Sequence, residues 1–307
     1  MKNKHWIGVD FGGTNIRIGL FNHENKLVCE NKFLTEANRG PEYIIANLKQ
    51  NIQMVKGDHD IGGIGIGMPG PLNPYEGIVL GPVNLPGWDF VPLADRITEY
   101  FGIPCYIEND CNVATLAESL EGAGKGYPIV FYITVSTGVG GGLCIHGEIL
   151  SGASGNAGEI GNIIVSDKPV KHSFLNSGSL EGMASGTSIL KLAQKRGLKV
   201  NHAHEVFKLA RENNETAREI AASAMDSLAR GMAAIAHVVE PHIFILGGGV
   251  STAVPNFAAE MKERFEQYIY PVMRGKIQIE LSQFNEPGMI GAMYLVKKKV
   301  TRLNNKT

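Results

Sequence analysis

Residues 9–22 read VDFGGTNIRIGLFN: an apolar run ending on an acid, a glycine pair with a threonine, then a second apolar run. This pattern predicts two strands, over 5–10 and 16–21, joined by a Gly-Gly-Thr-Asn turn. A hairpin needs only a turn. This one also gathers the carboxylate of Asp10, the hydroxyl of Thr14 and the bare amides of Gly12 and Gly13. Glycine lets a ligand come close to the main chain, and successive free N–H groups form an anion-binding nest. Asp10 would repel a phosphate directly, but it can hold a magnesium ion through water. The stretch therefore points to a phosphate and metal site at the end of a buried strand.

The same design recurs downstream. IVFYITVSTGVGGGLCIHG (129–147) repeats strand, Thr/Gly turn and strand, with Thr137 and Gly138 at the tip, and HIFILGGGV (242–250) ends a strand on Gly247, Gly248 and Gly249. Any one of these turns could be a tight turn without a ligand; three of them, each after an apolar strand, favour phosphate binding. Two other nucleotide motifs fail. GIGMPG (65–70) matches G-x-G-x-x-G in letters, but PLNPY follows it where a helix should start. Neither Lys125 nor Lys276 is followed by Ser or Thr, so there is no P-loop.

Around these turns, strands and helices alternate. PEYIIANLKQNIQMVK (41–56) places Ile44, Ile45, Leu48 and Ile52 at helical spacing, IGGIGIGM (61–68) is a short strand, and PLADRITEYFG (92–102) is a helix closed by Gly102. IPCYIEND (103–110) is a strand that runs into the helix CNVATLAESLEG (111–122). The second half reads as helices over 179–197 and 214–240, a helix from Pro255, a strand at 276–282 and a last helix at 288–300. The glycine-rich break GAGKGYP (122–128) marks a boundary. We expect an α/β protein of two lobes: a smaller one over 1–121, which the C-terminal helix 289–303 is a candidate to join, and a larger one over 122–288.

Composition bounds the function. In 307 residues, 44% are hydrophobic and 19% charged, and the formal net charge is -1. That balance suits a globular protein and excludes nucleic acid as the main partner; the basic tail VKKKVTRLNNK reads as a solvated terminus. No apolar run is long enough for a membrane span. Cys29, Cys105, Cys111 and Cys144 form no C-x-x-C pair and read as reduced thiols of a cytoplasmic protein. At the IEND junction, Asn109 or Asp110 could cap the following helix, and the helix dipole is expected to keep Asp110 ionised. Trp88 suits the core or a ligand loop equally.

Taken together, these segments resemble the ROK family of sugar kinases, which shares the two-lobed, ribonuclease H-like fold of actin and hexokinase with an active-site cleft between lobes. DFGGTN is similar to the family's first phosphate loop, VSTGVGGG to the second and LGGGV to the adenosine-side loop; MPGPLN, NLPGW, IEND, NAGEIGN and SLEGMASG are similar to its sugar-site segments. The likeness covers nearly the whole chain, in order. It implies an ATP-dependent kinase of a hexose hydroxyl, the 6-OH of glucose or a close analogue. N-acetylmannosamine, fructose, allose and β-glucosides are alternative substrates. It implies that Asp10 orients magnesium and that Gly12, Gly13, Thr14, Thr137, Gly138 and Gly247–Gly249 meet ATP. It also implies that Asp110 is the base, with Gly70, Asn84, Asn109, Glu159 and Glu181 on the sugar, in a homodimer. Family regulators carry a helix-turn-helix segment of several dozen residues ahead of the first phosphate loop. Asp10 lies ten residues from the start, so a kinase is expected rather than a sugar-responsive repressor.

The chain departs from the family at one place. Many members bind a structural zinc ion through a histidine after GE-x-G and three later cysteines. Here those positions hold Asn162, His172, Phe174 and Ser179, a set that cannot build a tetrahedral zinc site. We expect no zinc, a segment 166–180 held by packing or hydrogen bonds, and Asn162 beside the sugar where the histidine would stand.

Overall fold

The structure is a computed structural model and describes residues 4–304. The chain divides into two compact units. The first holds the residues up to 120, the segment 147–157 and the chain from 284 onward; the second holds 121–146 and 158–283. Among the described residues, no helix is long and apolar enough to cross a membrane.

In the first unit, the quoted hairpin forms as expected: β1 (His5–Phe11) pairs antiparallel with β2 (Asn15–Phe21). β3 (Leu27–Leu34) extends the sheet beyond β2, while β4 (Ile61–Met68) and the strand Cys105–Asn109 lie parallel to β1 on its other side. Side chains alternate across a strand, and β4 uses that alternation in an extreme form. Ile64, Ile66 and Met68 are buried in a cluster with Ile44, Leu48 and Ile52 of α1 (Gly40–Lys56) and Leu93 and Ile97 of α2 (Leu93–Phe101). The other face carries Gly63, Gly65 and Gly67.

Those glycines explain the motif that fails as a nucleotide fingerprint. Gly19, Gly8 and Gly65 stand in register across β2, β1 and β4, and the C-terminal helix Pro287–Asn304 lies on that row. A Cβ on Gly8 would be 2.0 Å from the Met289 carbonyl oxygen, and one on Gly65 would be 1.8 Å from that of Ala292. Gly291 makes a similar approach to α3 (Asp110–Leu120), where a Cβ would lie 1.7 Å from the Val113 oxygen. Backbone meets backbone here, so no side chain can be added. Trp6 and Phe21 close the rim against Met289, Met293, Val296 and Val300. The segment 147–157 is tied to the same unit through Ser151, Gly155 and the Tyr75 hydroxyl, which donates to the Gly152 carbonyl.

The second unit repeats the hairpin with Ile129–Val135 and Val139–Ile145. Ile243–Gly247 runs parallel to the first of these strands, and Gln278–Leu281 is parallel beyond it. The helix Glu215–Val239 supplies much of the core through Ile220, Met225, Leu228, Met232 and Ile235.

Three helix readings need correction. The stretch 179–197, read as one helix, is two, Leu180–Ala184 and Gly186–Lys195. Ser185 sits between them with extended backbone, and its hydroxyl caps the second helix by accepting from Ser188 N–H; serine competes for such caps. A helix over Ala203–Arg211, which sequence reasoning left unassigned, rests on only Ala203, Val206 and Phe207. The helix expected from Pro255 is preceded by a short one, Gly248–Ala253, that begins inside the triple glycine.

Candidate functional site

β1, β4 and the strand Cys105–Asn109 are neighbours and parallel, and Asp10, Gly67 and Glu108 share one level across them. All three strands therefore deliver their carboxyl ends to one edge of the sheet, where ligands of open α/β sheets bind. That edge holds Asp10, Gly70, Asn109 and Asp110. Asn84 joins the turn next to it: a Cβ on Gly13 would lie 3.3 Å from the Asn84 Cβ.

The β1–β2 turn is tight. Gly12 N–H donates to Asn15 O at 2.9 Å, and the turn is braced by Thr35, a residue that sequence reasoning missed. Thr35 is buried; its hydroxyl donates to Gly12 O at 2.6 Å and its N–H to Thr14 O at 2.9 Å. Thr14 itself is exposed. No periodicity or motif singles out Thr35, because it lies beyond a strand that starts a dozen residues after the turn.

Asp10 faces Arg17 across the hairpin and the first turn of the C-terminal helix, where a Cβ on Gly288 would lie 2.7 Å from its Cγ. Burial, then the nearby Asp110 charge, push the Asp10 pKa up to about 6, and Arg17 opposes the shift. Two carboxylates crowd one site and resist ionising together.

The IEND junction separates three acidic or amide side chains by role. Asn109 is the cap: its Oδ1 accepts from Cys111 N–H at 2.9 Å, with Asn112 N–H at 3.4 Å. This leaves its amide N–H groups for a ligand. Asp110 accepts from Cys111 N–H at 2.8 Å through Oδ1, and the Cys111 side chain and its own N–H also bond to the carboxylate. Glu108, two residues earlier and only 3% exposed, is fully engaged: Oε1 accepts from Asn109 N–H (2.9 Å) and Asn112 Nδ2 (3.0 Å), and Oε2 from the Ser151 hydroxyl (2.6 Å). The expectation that the helix dipole dominates at Asp110 is corrected. Burial raises its pKa, and the hydrogen bonds from Cys111 offset only part of that. Trp88 belongs to the core, fully buried and edge-on to Phe11 at 5.4 Å.

In the second unit, Thr137 and Gly138 form the tip of the hairpin, with Thr137 exposed and Ser136 N–H donating to Gly138 O at 2.9 Å. The triple glycine is not uniform. A Cβ on Gly247 would meet the Tyr132 hydroxyl at 2.0 Å and one on Gly248 (φ 85°) the Val135 oxygen at 2.5 Å, whereas Gly249 faces open space. Gly247 and Gly248 thus bring their strand end against the hairpin, and Gly249 offers bare main chain.

Glu181 reaches the same hairpin, where its Oε2 accepts from Val139 N–H at 2.9 Å. Its Oε1 lies 3.4 Å from His172 Nε2. Glu159 is exposed at the start of a single 3-10 turn, Ile160–Asn162. Asn162 gives its Oδ1 to Asn176 N–H at 2.8 Å. That bond helps hold the segment 166–180, along with Val165 N–H to Gly178 O, Gly178 N–H to Val170 O and Leu180 N–H to Ile163 O. Among the described residues, no group of three or more His, Cys, Asp or Glu side chains could hold a metal ion.

The sequence is 32% identical over 310 residues to a glucokinase of Thermotoga maritima, covering 96% of this chain and 98% of the relative. The fold matches the crystal structure of a ROK hexokinase from Thermus thermophilus with a TM-score of 0.86 at 27% identity, over 96% of this chain and 99% of that one. It matches a ROK family glucokinase from Streptomyces griseus, solved with glucose and AMPPNP, with a TM-score of 0.80 at 27% identity over the same shares. The ROK family model spans residues 6–299; the chain belongs to the ROK family, with its two-lobed, actin- and hexokinase-like α/β fold.

Proposed function

We propose that the protein is an ATP-dependent carbohydrate kinase that phosphorylates a hexose hydroxyl, the 6-OH of glucose or a close analogue. One observation carries this reading. At the edge where three parallel strands end, the Asp110 carboxylate is anchored by Cys111 and stands beside Asn109, whose Oδ1 is taken up by the helix cap so that its amide offers donors. A sugar hydroxyl is both donor and acceptor, and this pair answers both needs. The glucokinase and hexokinase names of the relatives support the same class.

Asp110 orients the attacking hydroxyl and takes its proton on the carboxylate. Phosphoryl transfer has a loose transition state, so the proton leaves late and positioning matters more than base strength. Gly12, Gly13, Thr14, Thr137, Gly138 and Gly249 are the groups assigned to the ATP phosphates and nucleoside, and Gly247 and Gly248 hold that last turn in place. Asp10, crowded by Asp110, fits a divalent cation, which the like charges would favour. Magnesium bound there through water would supply charge neutralisation to the phosphates. Asn84, Asn109, Gly70, Glu159, Asn162 and Glu181 are assigned to the sugar. A zinc-free segment 166–180 and a cytoplasmic homodimer complete the reading.

Coupled ATP turnover across free hexoses, N-acetylhexosamines and β-glucosides tests it. Turnover with magnesium should rise at least tenfold over the no-sugar rate for one hexose. Equal turnover with and without every sugar would overturn the assignment.

A further inference from the structure

The second unit carries an unbroken row of polar side chains that ends on Glu181. Ser185 Oγ lies 2.9 Å from Ser188 Oγ, Ser188 Oγ lies 3.1 Å from His172 Nδ1, and His172 Nε2 lies 3.4 Å from Glu181 Oε1. The proton directions follow from the ends of the row. A carboxylate only accepts, so the imidazole presents its N–H at Nε2. In the neutral ring Nδ1 is then an acceptor, filled by the Ser188 hydroxyl. Ser188 in turn receives the Ser185 hydroxyl, whose oxygen is held as a helix cap by Ser188 N–H at 3.2 Å. The two serines thus set the tautomer of the histidine, as the second partner of an imidazole commonly does. The other end of the carboxylate is fixed too: Oε2 accepts from Val139 N–H at 2.9 Å, and a Cβ on Gly138 would lie 2.5 Å from it.

We propose that His172 is a positioning residue for sugar binding: it locks the Glu181 carboxylate in the orientation that receives a hydroxyl of the substrate. The proposal rests on the reading of Glu181 as a sugar ligand. His172 does not reach the reacting atoms; it acts through Glu181. A ligand held equally in the ground and transition states changes KM and leaves kcat alone, so loss of His172 affects sugar affinity and not turnover.

A second feature makes the test sharp. His172 and Ser188 also line a cavity of about 570 Å³, with Met183, Lys191, Leu192 and Ile220. When the ring is removed, free imidazole can enter by that route. In His172→Ala the sugar KM should rise about 5- to 20-fold, with kcat within about twofold and the KM for ATP unchanged, the size of one lost orienting polar contact. Imidazole at tens of millimolar (on the order of its solution use as a buffer) should restore the sugar KM of this variant and leave the wild type unaffected. Where His172→Ala does not fold, His172→Gln and His172→Asn carry the test. Gln extends an N–H donor to the Nε2 position and should keep the KM low, while Asn reaches only the Nδ1 position and should not. Glu181→Gln, measured alongside, separates the two readings. An unchanged sugar KM in Glu181→Gln overturns the assignment of Glu181, and the proposal with it. A raised KM there, with no rise in the His172 variants, or with a rise that neither imidazole nor Gln corrects, overturns the role of His172 alone.

Discussion

The two units treat their carboxylates in opposite ways. In the second, Glu181 is gripped by a main-chain N–H on one oxygen and faced by an imidazole on the other. In the first, Asp10 and Asp110 repel each other at the sheet edge, and their pKa values are pushed upward by burial. One unit points an acid; the other holds two acids at a cost in stability. The contrast is visible even within IEND: buried Glu108 is bonded by three residues, one of them as distant as Ser151, whereas the donors to Asp110, two residues on, are all local, from Cys111 and its own N–H. Buried polar groups are normally satisfied. A carboxylate whose local hydrogen bonds do not offset its burial is the one held for a ligand, and its raised pKa is the sign.

The largest effect should come from breaking that contrast at Asp110. Asp110→Asn removes the proton acceptor and should lower kcat by about 100- to 10,000-fold. The same change removes one of two crowded charges, so the free protein should melt at the same temperature or higher. Loss of activity without loss of stability is the expected pattern of a residue kept for function. Paired kinetic and thermal measurements on the purified variant decide it: turnover within about threefold of wild type removes Asp110 from the chemistry, since general-base terms are far larger.

A smaller effect is expected in the pH dependence. Asp10 titrates near 6 in the folded chain, above the value of about 3.9 for a free aspartate. Between those values the folded state binds a proton that the unfolded state has released, so stability is greatest at the acid end and falls as pH rises. The expected loss from pH 4 to pH 7 is on the order of 1–2 kcal/mol, read as a falling unfolding midpoint in the free protein. Magnesium with ATP should flatten the slope. Asp10→Asn should also flatten it, and should raise the magnesium concentration needed for half-maximal activity about 10- to 100-fold, the range seen when water-mediated metal partners are lost. A midpoint that rises with pH over this window would reverse the assignment.

Much of this was legible in the sequence because it is written in local order. The hairpins, the strand ends and the placement of Asp10, Asn109 and Asp110 follow from apolar runs that stop at glycines or acids. The pairing of distant residues is not written that way. Gly65 and Gly67 look like part of a nucleotide fingerprint, yet their lack of side chains serves the C-terminal helix and α3, more than forty residues away in the chain. Burial reversed the sign of the expected shift at Asp110, since a helix dipole is read from sequence and desolvation is not. Ser185 was not read as a break because the apolar spacing continues past it, although Ser185-Gly186-Thr187-Ser188 are poor helix formers that favour a cap there. Thr35 and His172 act on residues 23 and 9 positions away through single hydrogen bonds or close polar approaches, and no motif spacing encodes either.

Thr35 provides the finest test of the comparison, because it braces the first unit's glycine turn by a side chain, where the second unit uses main chain. In the second hairpin, Gly186 N–H donates to Ser136 O at 2.7 Å, a bond that no substitution at 136 would delete. In the first, the Thr35 hydroxyl donates to Gly12 O at 2.6 Å, and Thr35→Val removes it while keeping the shape. The Thr35 N–H still reaches Thr14 O, so the turn keeps one tie. Leaving one carbonyl without its partner costs about 1 kcal/mol, a small shift in the unfolding midpoint. If Gly12 and Gly13 meet the ATP phosphates, the loosened turn should raise the KM for ATP a few-fold and leave the sugar KM unchanged. That split is the informative part. A change in the sugar KM of equal size would mean that the turn serves the sugar as much as the nucleotide. An unchanged KM for ATP in a variant that has lost the expected stability would separate the glycine turn from nucleotide binding, leaving Asp10 and Thr14 to account for the site.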